Sequence, residues 1–331
     1  MKLRSKLAAI FDILKSRIFK KRIPVAVRWQ LTYKCPMRCI YCNIWKMKSH
    51  ELKTNEILLL LDEIEKCGTK KISFSGGEPM LREDIGLIIN HCVSRGISPE
   101  MNSTGFLISQ KISLIKGLDL LKLSLDGPEE IHDLIRGRPG AYKLVMEAAE
   151  AAAIKGIKFI FTTTLSKFNI KHVEFLLNLA KKFKTYVAFQ PLKKIYSGCS
   201  LGEFKALLPS ESEYKNALDI LIASKKRGNG YMRNSLQGLW HIYNWPRYGE
   251  LKCRAGQIFC MIAPNGDLYP CDRLKYKEPL PNCIDFGFRN AFSKLPEINC
   301  SGCGFCGSLE LNYLASFNWR VIPTLSRIMD R

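Results

Sequence analysis

The chain of 331 residues is short of acidic side chains, with 30 Asp and Glu against 51 Lys and Arg, and its formal charge is therefore +21. It lacks any uncharged apolar run near the roughly 18 to 20 residues of a transmembrane helix. It also lacks a secretory signal, because Asp12, Lys15 and Arg17 interrupt the apolar segment behind the basic first residues. We therefore expect a cytoplasmic protein whose thirteen cysteines bind metal or are buried, rather than a disulfide framework.

The excess of positive charge predicts attraction to anionic partners. Nucleic acid, acidic lipid headgroups, a phosphorylated substrate and an acidic redox protein all fit this charge. A solvated basic surface without a dedicated partner fits it equally well, so charge alone does not identify the partner.

After residue 23, short β-branched or apolar runs alternate with stretches of helical periodicity. Repeated strand and helix units favour parallel strands joined by right-handed crossovers, with ligands at the carboxyl ends of the strands. The predicted fold is α/β, a partial (β/α)6 TIM-type barrel with a small cysteine-rich C-terminal domain. The predicted strands are 25–31, 71–74, 100–103, 120–125, 158–164 and 186–190, and the clearest helices are 55–67, 143–155 and 211–226.

A basic, glycine-containing stretch at residues 225–230 is typical of a linker. Seven of the thirteen cysteines follow it. We therefore divide the chain into an amphipathic basic N-terminal helix at residues 1–23, a barrel at 24–230 and a cysteine-rich domain at 231–331.

Three cysteines, Cys35, Cys39 and Cys42, follow the first predicted strand directly. Three thiolates at this spacing can hold three irons of a cubane cluster and leave the fourth iron open to a small molecule. A zinc site or buried free thiols are the alternatives for such closely spaced cysteines.

The second predicted strand ends in the run Gly76-Gly77-Glu78-Pro79. Glycines let the backbone approach a ligand, and proline fixes the turn, although an ordinary strand-to-helix turn has the same composition. Together with the CxxxCxxC triplet, and with Tyr41 before its last cysteine, this turn resembles the radical S-adenosylmethionine (SAM) superfamily over about residues 25–192.

This resemblance implies that Cys35, Cys39 and Cys42 hold a 4Fe-4S cluster whose open iron is chelated by SAM. Backbone groups of Gly76 and Gly77, with Glu78 nearby and Pro79 in the same turn, would meet the methionyl amino group. The family also implies an electron donor such as flavodoxin or ferredoxin, and cleavage of SAM to a 5′-deoxyadenosyl radical.

Further polar residues lie at strand ends and are expected to line the SAM site. Ser124 and Asp126 are expected to meet the ribose hydroxyls, and Ser103 and Gln190 to form part of the walls. Ordinary strand-end hydrogen bonds are the alternative for each of them. Arg136, in an Arg-Gly pair, resembles one found in longer members of the superfamily, and a surface salt bridge is its alternative role.

Near the C-terminus, Cys253 and Cys271 flank the turn 264–267, whose Asn-Gly pair predicts a hairpin. The pattern Cys-x12-Gly-x4-Cys, followed by a cysteine-rich run, resembles the SPASM and twitch extensions that carry an auxiliary 4Fe-4S cluster. The expected ligands come from Cys253, Cys271, Cys300, Cys303 and Cys306.

The seven cysteines beyond residue 250 fall short of the eight that two fully ligated clusters require, so we expect one auxiliary cluster. A second cluster that uses Cys260 or Cys283, or a structural zinc ribbon, is the alternative. Cys199, in a loop beyond the sixth strand, is a candidate for facing the substrate.

The first 22 residues carry eight basic side chains and one acidic one, with an apolar stripe that includes Leu7, Phe11 and Ile18. Such a helix can lie peripherally on an anionic membrane at its inner face, or can simply cover one end of the barrel. The aromatic run near the C-terminus, at 317–322, is a second amphipathic candidate.

The sequence thus predicts a radical SAM enzyme that abstracts hydrogen from a peptide or small-molecule substrate. A membrane lipid or lipid-linked intermediate is the alternative substrate suggested by the termini. A non-enzymatic iron-sulfur or zinc protein that binds nucleic acid is a further alternative. It explains neither the open-iron spacing nor the Gly-Gly-Glu-Pro turn, so nucleic acid is not the expected partner.

Overall fold

The computed structural model describes residues 11–13, 15–16, 18–19, 21–192, 201–228, 230–248, 251–271, 279–300 and 303–318. Cys199 and the candidate residues 319–322 lie outside these ranges, as do residues 1–10 of the N-terminal segment. The described chain contains an eight-stranded sheet with the strand order β6-β5-β4-β3-β2-β1-β7-β8.

The six strands predicted from the sequence are present, each with ends within two residues of the prediction, and all five pairings between them are parallel. Of the described strands, β1 and β6 do not pair with each other, so the barrel is partial, as expected. The strands are β1 (Ala26–Thr32), β2 (Lys71–Gly76), β3 (Ser98–Ser103), β4 (Leu120–Ser124), β5 (Phe159–Leu165), β6 (Tyr186–Pro191), β7 (Phe259–Ile262) and β8 (Leu268–Tyr269).

Helices follow most of the strands, and the three predicted from periodicity are confirmed. The described helices are α1 (Thr54–Lys66), α2 (Ile85–Ser94), α3 (Glu129–Arg136), α4 (Ala141–Ile154), α5 (Val173–Lys182), α6 (Leu201–Lys205), α7 (Glu211–Lys226), α8 (Leu236–Tyr243), α9 (Cys283–Ser293) and α10 (Cys306–Ala315). Single turns of 3-10 helix occur at Ile44–Lys46, Pro79–Leu81, Ile112–Ile115 and Ile170–His172.

Helix α1 shows why these segments are helical. Its buried side chains, Ile57, Leu60, Leu61 and Ile64, recur at the three- and four-residue spacing that places them on one face. At its start, the Glu56 carboxylate accepts the backbone N–H of Lys53 at 2.6 Å, which satisfies a donor that the helix itself leaves unpaired.

The two faces of the barrel strands differ in chemistry. One set of alternating side chains, exemplified by Trp29, Phe74, Phe161 and Phe189, is fully buried in the hydrophobic core, to which helices α1, α2, α4, α5 and α7 to α10 contribute. The other set is largely polar and points into the barrel lumen. Burial of the apolar set stabilises the barrel and leaves the lumen side for chemistry.

The predicted hairpin is also present, but it joins the barrel rather than standing apart. Gly266, at φ +90°, lies in the turn between the antiparallel strands β7 and β8, where a left-handed backbone favours glycine. Strand β7 pairs in parallel with β1, from Ala26 opposite Phe259 to Trp29 opposite Ile262. The cysteine-rich region therefore extends the barrel sheet at its first strand.

The chain beyond the predicted linker also packs on the far edge of the barrel. The Val187 N–H donates to the Tyr231 carbonyl and the Arg233 N–H to the Val187 carbonyl, each at 2.9 Å. The amide of Asn234 pairs with both backbone groups of Phe189 at 2.8 Å. The domain boundary at residue 230 stays a prediction. Backbone hydrogen bonds join the residues just after it to strand β6 of the barrel.

In the described part of the N-terminal segment, some side chains are buried and others are exposed. Ile13 packs with residues of α10 in a small second apolar cluster, and Ser16 is buried as well. Phe11, Ile18 and Phe19 are each 64% exposed. One side of this segment thus covers the barrel, as one of the two expectations has it, and peripheral contact with a membrane stays a prediction. Across the described ranges, none of the helices combines the length and hydrophobicity of a membrane span.

Candidate functional site

The cysteine triplet lies on the loop that follows β1, at the carboxyl edge of the sheet. The backbone N–H groups of Arg38 and Ile40 donate to the carbonyls of Arg136 and Ile135, at 2.9 and 3.0 Å. Strand-like pairing with the end of α3 therefore holds the loop in place.

The three thiols of the triplet share one region. Burial, and then the charges of Cys39, Glu78 and Cys42, raise the pKa of Cys35 to about 12. Cys42 also donates its N–H to the Cys39 carbonyl at 3.0 Å, which curls the second half of the loop. A set of three soft thiolate donors on one loop fits an iron-sulfur cluster.

The Gly-Gly-Glu-Pro turn is locked against the start of the cysteine loop. The Gly77 N–H donates to the Thr32 carbonyl at 2.7 Å, and the Glu78 N–H donates to the Lys34 carbonyl at 2.8 Å. A Cβ atom at Gly76 would lie 2.2 Å from the Thr32 oxygen, and one at Gly77 only 2.0 Å from the Lys34 oxygen. Only glycine therefore permits this approach of the two segments.

The Glu78 carboxylate is bound by several protein donors. It is fully buried and accepts hydrogen bonds from the backbone N–H and hydroxyl of Thr104, from the Ser103 hydroxyl and from the Met80 N–H, at 2.6 to 3.2 Å. Burial raises the pKa of Glu78 and these donors oppose the rise. With both oxygens occupied, Glu78 fastens the turn to the end of β3, and the backbone of the turn remains as the surface for a ligand. Pro79 begins the short 3-10 helix behind it.

Asp126 forms a second buried carboxylate centre. It is fully buried, and its Oδ2 meets the Arg136 Nη2 at 2.7 Å and the Tyr41 hydroxyl at 3.3 Å. Its Oδ1 accepts the Thr164 N–H at 3.2 Å. That Asp126 binds ribose stays a prediction, and in this structure its oxygens accept hydrogen bonds from these three protein donors.

Arg136 links this centre to the cysteine triplet. Its Nη1 donates to the Cys39 sulfur at 3.8 Å, and its guanidinium carbon lies 5.9 Å from the centre of the Tyr41 ring. Burial disfavours its charge, but Asp126, Tyr41 and Cys39 together raise the pKa of Arg136 well above its ordinary value. The surface-salt-bridge alternative is therefore wrong: Arg136 is a buried cation beside a predicted cluster ligand.

Ser124 at the end of β4 and Gln190 near the end of β6 occupy lumen positions on either side of β5. Ser124 is opposite Thr162 in the β4–β5 register, and the Gln190 side-chain amide donates to the Thr164 hydroxyl at 3.2 Å. Gln190 Oε1 is buried, with no hydrogen-bond partner among the described residues. Ser103, by contrast, is buried between Glu78 and the Gly105 N–H. That Ser124 and Gln190 form part of the wall of the SAM site stays a prediction, whereas the Ser103 hydroxyl is bound to Glu78.

In the C-terminal region the structure gathers part of the predicted auxiliary ligand set. The Cys253 N–H donates to the Cys300 carbonyl at 3.2 Å. A side-chain hydrogen bond with Cys300, burial and the nearby Cys303 thiol raise the pKa of Cys253. Cys271 and Cys300 pack against the same small apolar cluster as Cys253. Cys306 is the first residue of α10.

The two remaining C-terminal cysteines, Cys260 and Cys283, lie elsewhere in the structure. Cys260 is buried in the main barrel core, where burial and then Cys283 and Cys67 raise its pKa well above the ordinary value. Neither Cys260 nor Cys283 is among the groups whose charges act on Cys253. Among the described residues, no three His, Cys, Asp or Glu side chains are placed to hold a single metal ion.

Sequence reasoning missed a set of charged lumen residues, which includes Arg28, Glu100 and Lys122. The Lys122 ammonium lies 2.6 Å from the Glu100 carboxylate, and both side chains are largely buried. A signal was present, since each of these charges interrupts an otherwise apolar or uncharged strand.

Comparison with known proteins agrees with this site. The protein-family model described as the radical SAM superfamily matches residues 29–180. Mycofactocin maturase MftC of Mycobacterium tuberculosis is 25% identical over 312 residues, which cover 87% of this chain and 76% of that protein. The Mycolicibacterium smegmatis MftC is 24% identical over 307 residues, with the same coverage.

Two solved structures share the fold. An anSMEcpe structure with bound AdoMet and a Cp18Cys peptide superposes with a TM-score of 0.63 at 17% identity, covering 91% of this chain and 99% of that one. Streptococcus suis SuiB bound to SAM gives a TM-score of 0.65 at 16% identity, covering 82% and 66%. Residues 29–180 are therefore a radical SAM domain, and the enzymes of that superfamily use a 4Fe-4S cluster and SAM.

We predict that Gly77→Ala raises the dissociation constant for SAM at least about tenfold, or about 1.4 kcal/mol. The added methyl would overlap the Lys34 carbonyl, so the turn must move away from the cysteine loop. Equilibrium binding of SAM to anaerobically reconstituted protein measures this. Gly230→Ala is the matched control, because a Cβ there meets nothing within 4 Å. Unchanged binding by Gly77→Ala would contradict the interlocked geometry.

We also predict that Asp126→Asn lowers the free energy of unfolding by about 3 to 5 kcal/mol, because it leaves the buried Arg136 charge without its carboxylate. Ser124→Ala, at a half-buried lumen position, should change it by less than about 1 kcal/mol. Urea unfolding under anaerobic conditions compares the two. If Asp126 acted mainly on ribose, Asp126→Asn would weaken SAM binding and leave stability unchanged.

Proposed function

We propose that this enzyme holds a 4Fe-4S cluster through Cys35, Cys39 and Cys42 and binds SAM against the backbone of Gly76 and Gly77. The observation that supports this most strongly is the interlock of the two motifs, in which the glycine turn donates hydrogen bonds to the residues just before Cys35. When bound, the cluster and SAM supply a 5′-deoxyadenosyl radical that abstracts hydrogen from the substrate.

The protein's own residues orient and protect this chemistry. Arg136 donates a hydrogen bond to one cluster thiolate and offsets its negative charge. Ser124 and Gln190 offer polar groups to the nucleoside part of SAM from the lumen wall. The buried carboxylates of Glu78 and Asp126 fasten the two loops from behind, which keeps the site in a fixed geometry.

For the C-terminal region we propose one auxiliary 4Fe-4S cluster, with ligands drawn from Cys253, Cys271, Cys300, Cys303 and Cys306. The proximity of Cys253 to Cys300 and Cys303 supports this set. The separate burial of Cys260 with Cys283 and Cys67 favours one such cluster over two. On this reading residues 231–331 form the auxiliary module, joined to the barrel through β7.

The proposed substrate is a peptide, with a small molecule as the alternative. SuiB has been solved with its precursor peptide SuiA, with a TM-score of 0.64 to this chain at 14% identity. The anSMEcpe structure likewise contains a peptide. An acidic electron donor such as flavodoxin or ferredoxin fits the net charge of +21. We propose that the enzyme works in the cytoplasm.

Reconstituted protein mixed with SAM and a strong reductant should release 5′-deoxyadenosine without its true substrate. Replacing Cys35, Cys39 and Cys42 together with alanine should abolish this release, because no ligand set for the SAM-binding cluster remains. The triple variant should retain about four irons per chain on the auxiliary ligands. Chromatographic assay of 5′-deoxyadenosine, with iron and sulfide analysis, measures both results.

Cys92→Ala is the control for that experiment, because Cys92 is buried in the barrel core away from both cysteine groups. It should keep both the cleavage and the full iron content. Continued cleavage by the triple variant would contradict the assigned cluster site, and about eight irons in that variant would contradict a single auxiliary cluster.

We further propose peripheral contact with anionic membrane, supported by the exposure of Phe11, Ile18 and Phe19 on a basic terminal segment. Full-length protein should sediment with anionic vesicles at low salt, and replacing these three residues with serine should reduce the bound fraction several-fold. Lys155→Ser, on the exposed end of α4, is the control. Equal binding by the triple serine variant would show that the helix serves only as a barrel cover, and would remove the support for a lipid substrate.

A further inference from the structure

A small cavity of about 80 Å³ lies where the barrel lumen meets the C-terminal region. From the barrel it is lined by Arg28, Lys71, Ser73, Glu100 and Lys122. Cys271 and Phe305 belong to the lining contributed by the C-terminal region. The cavity is therefore lined both by the lumen strands and by Cys271, one of the predicted auxiliary ligands.

The lining is rich in cations. The ammonium groups of Lys71 and Lys122 lie 3.6 and 2.6 Å from the two oxygens of Glu100, so a single carboxylate serves two lysines. Lys122 also donates to the Ser73 hydroxyl at 3.2 Å. The Arg28 guanidinium lies 4.0 Å from the centre of the Phe305 ring, on the side of the cavity formed by the C-terminal region.

A further cation stands behind this lining. Burial acts to raise the pKa of Glu100, but the charges of Lys122, Lys71 and Arg233 outweigh it and lower that pKa. At Glu310 burial prevails and raises the pKa, and the charge of Arg233 opposes the rise. The Arg233 Nη1 is buried, with no hydrogen-bond partner in the described chain. The cavity lining itself carries three cationic side chains, Arg28, Lys71 and Lys122, and one carboxylate, Glu100, which gives a formal charge of +2.

Such an excess of buried positive charge is costly unless an anion offsets it. We propose that Arg28, Lys71 and Lys122 bind an anionic group of the substrate, a carboxylate or a phosphate, in this cavity. The proposal deepens the proposed function and rests on it, because it names the chemistry of the substrate for the same lumen.

The depth of the cavity assigns it to the substrate rather than to SAM. In the β1–β2 register Arg28 is opposite Ser73. The next lumen-facing pair toward the carboxyl ends of the strands, Gln30 and Ser75, is the pair beside the glycine turn. Two residues of strand correspond to about 6.6 Å. An anion at Arg28 would therefore lie below the glycine turn, between it and the C-terminal region.

The experiment measures the melting temperature of anaerobically reconstituted enzyme in 20 mM sodium acetate or sodium phosphate, against sodium chloride of equal ionic strength. Wild-type protein should gain at least about 2 °C with one of the two anions, because a ligand bound only by the folded state stabilises it. Response to acetate alone identifies a carboxylate, and response to phosphate alone a phosphate.

Arg28→Gln should lose most of this gain, and Arg28→Lys, which keeps the charge, should retain about half or more. Lys71→Gln provides a second test if Arg28→Gln does not fold, because the Lys71 side chain is 31% exposed and tolerates replacement better. Lys155→Gln, on the exposed end of α4, should respond like the wild type.

The proposal is overturned if the wild type gains nothing from either anion, or if Arg28→Gln and Lys71→Gln gain as much as the wild type. Release of 5′-deoxyadenosine by wild-type protein is measured on the same preparation. Release without an anion response would overturn this inference alone. An anion response without release would support the cavity and contradict the proposed SAM chemistry.

Discussion

The close approach of two backbone segments underlies the whole site. The N–H groups of Gly77 and Glu78 donate to the carbonyls of Thr32 and Lys34, so the turn after β2 is tied to the chain just before Cys35. No residue with a Cβ fits at Gly76 or Gly77 without overlap. The surface proposed for SAM and the loop proposed to hold the cluster are thereby held side by side, which is the arrangement that their joint chemistry needs.

Two buried carboxylates maintain this approach from opposite sides. Glu78 anchors the turn to Thr104 and Ser103 at the end of β3, while Asp126 pairs with Arg136 beneath the cysteine loop. Both are fully buried and fully engaged, so each is tolerated only because protein donors replace water around it. The site therefore depends on residues that need not touch a ligand.

Much of the barrel was predictable, because each strand is a short apolar or β-branched run and each clear helix has a buried stripe such as Ile57, Leu61 and Ile64. The placement of β7 beside β1 was not, since pairing between distant strands leaves no local pattern in either. The surroundings of Glu78 and Asp126 were hard to predict for a related reason: a carboxylate at a strand end looks the same in sequence whether it faces a ligand or buried donors.

The contacts of the charged lumen residues were also hard to predict from the sequence. Lys122 and Glu100 stand in separate strands, and only the register of the sheet brings them within 2.6 Å. Sequence marks the residues as unusual for a strand interior but does not tell which of them meet. Polar groups of the barrel lumen and Phe305 and Cys271 of the C-terminal region line one cavity, so both parts of the chain shape it.

The central claim is that one cluster of this enzyme has an open iron that SAM approaches from the glycine turn. Electron paramagnetic resonance of dithionite-reduced, reconstituted enzyme, recorded with and without SAM, tests it most directly. The account predicts that SAM shifts the g-values of one reduced 4Fe-4S signal and leaves a second signal from the auxiliary cluster unchanged. A spectrum that SAM does not alter would contradict it.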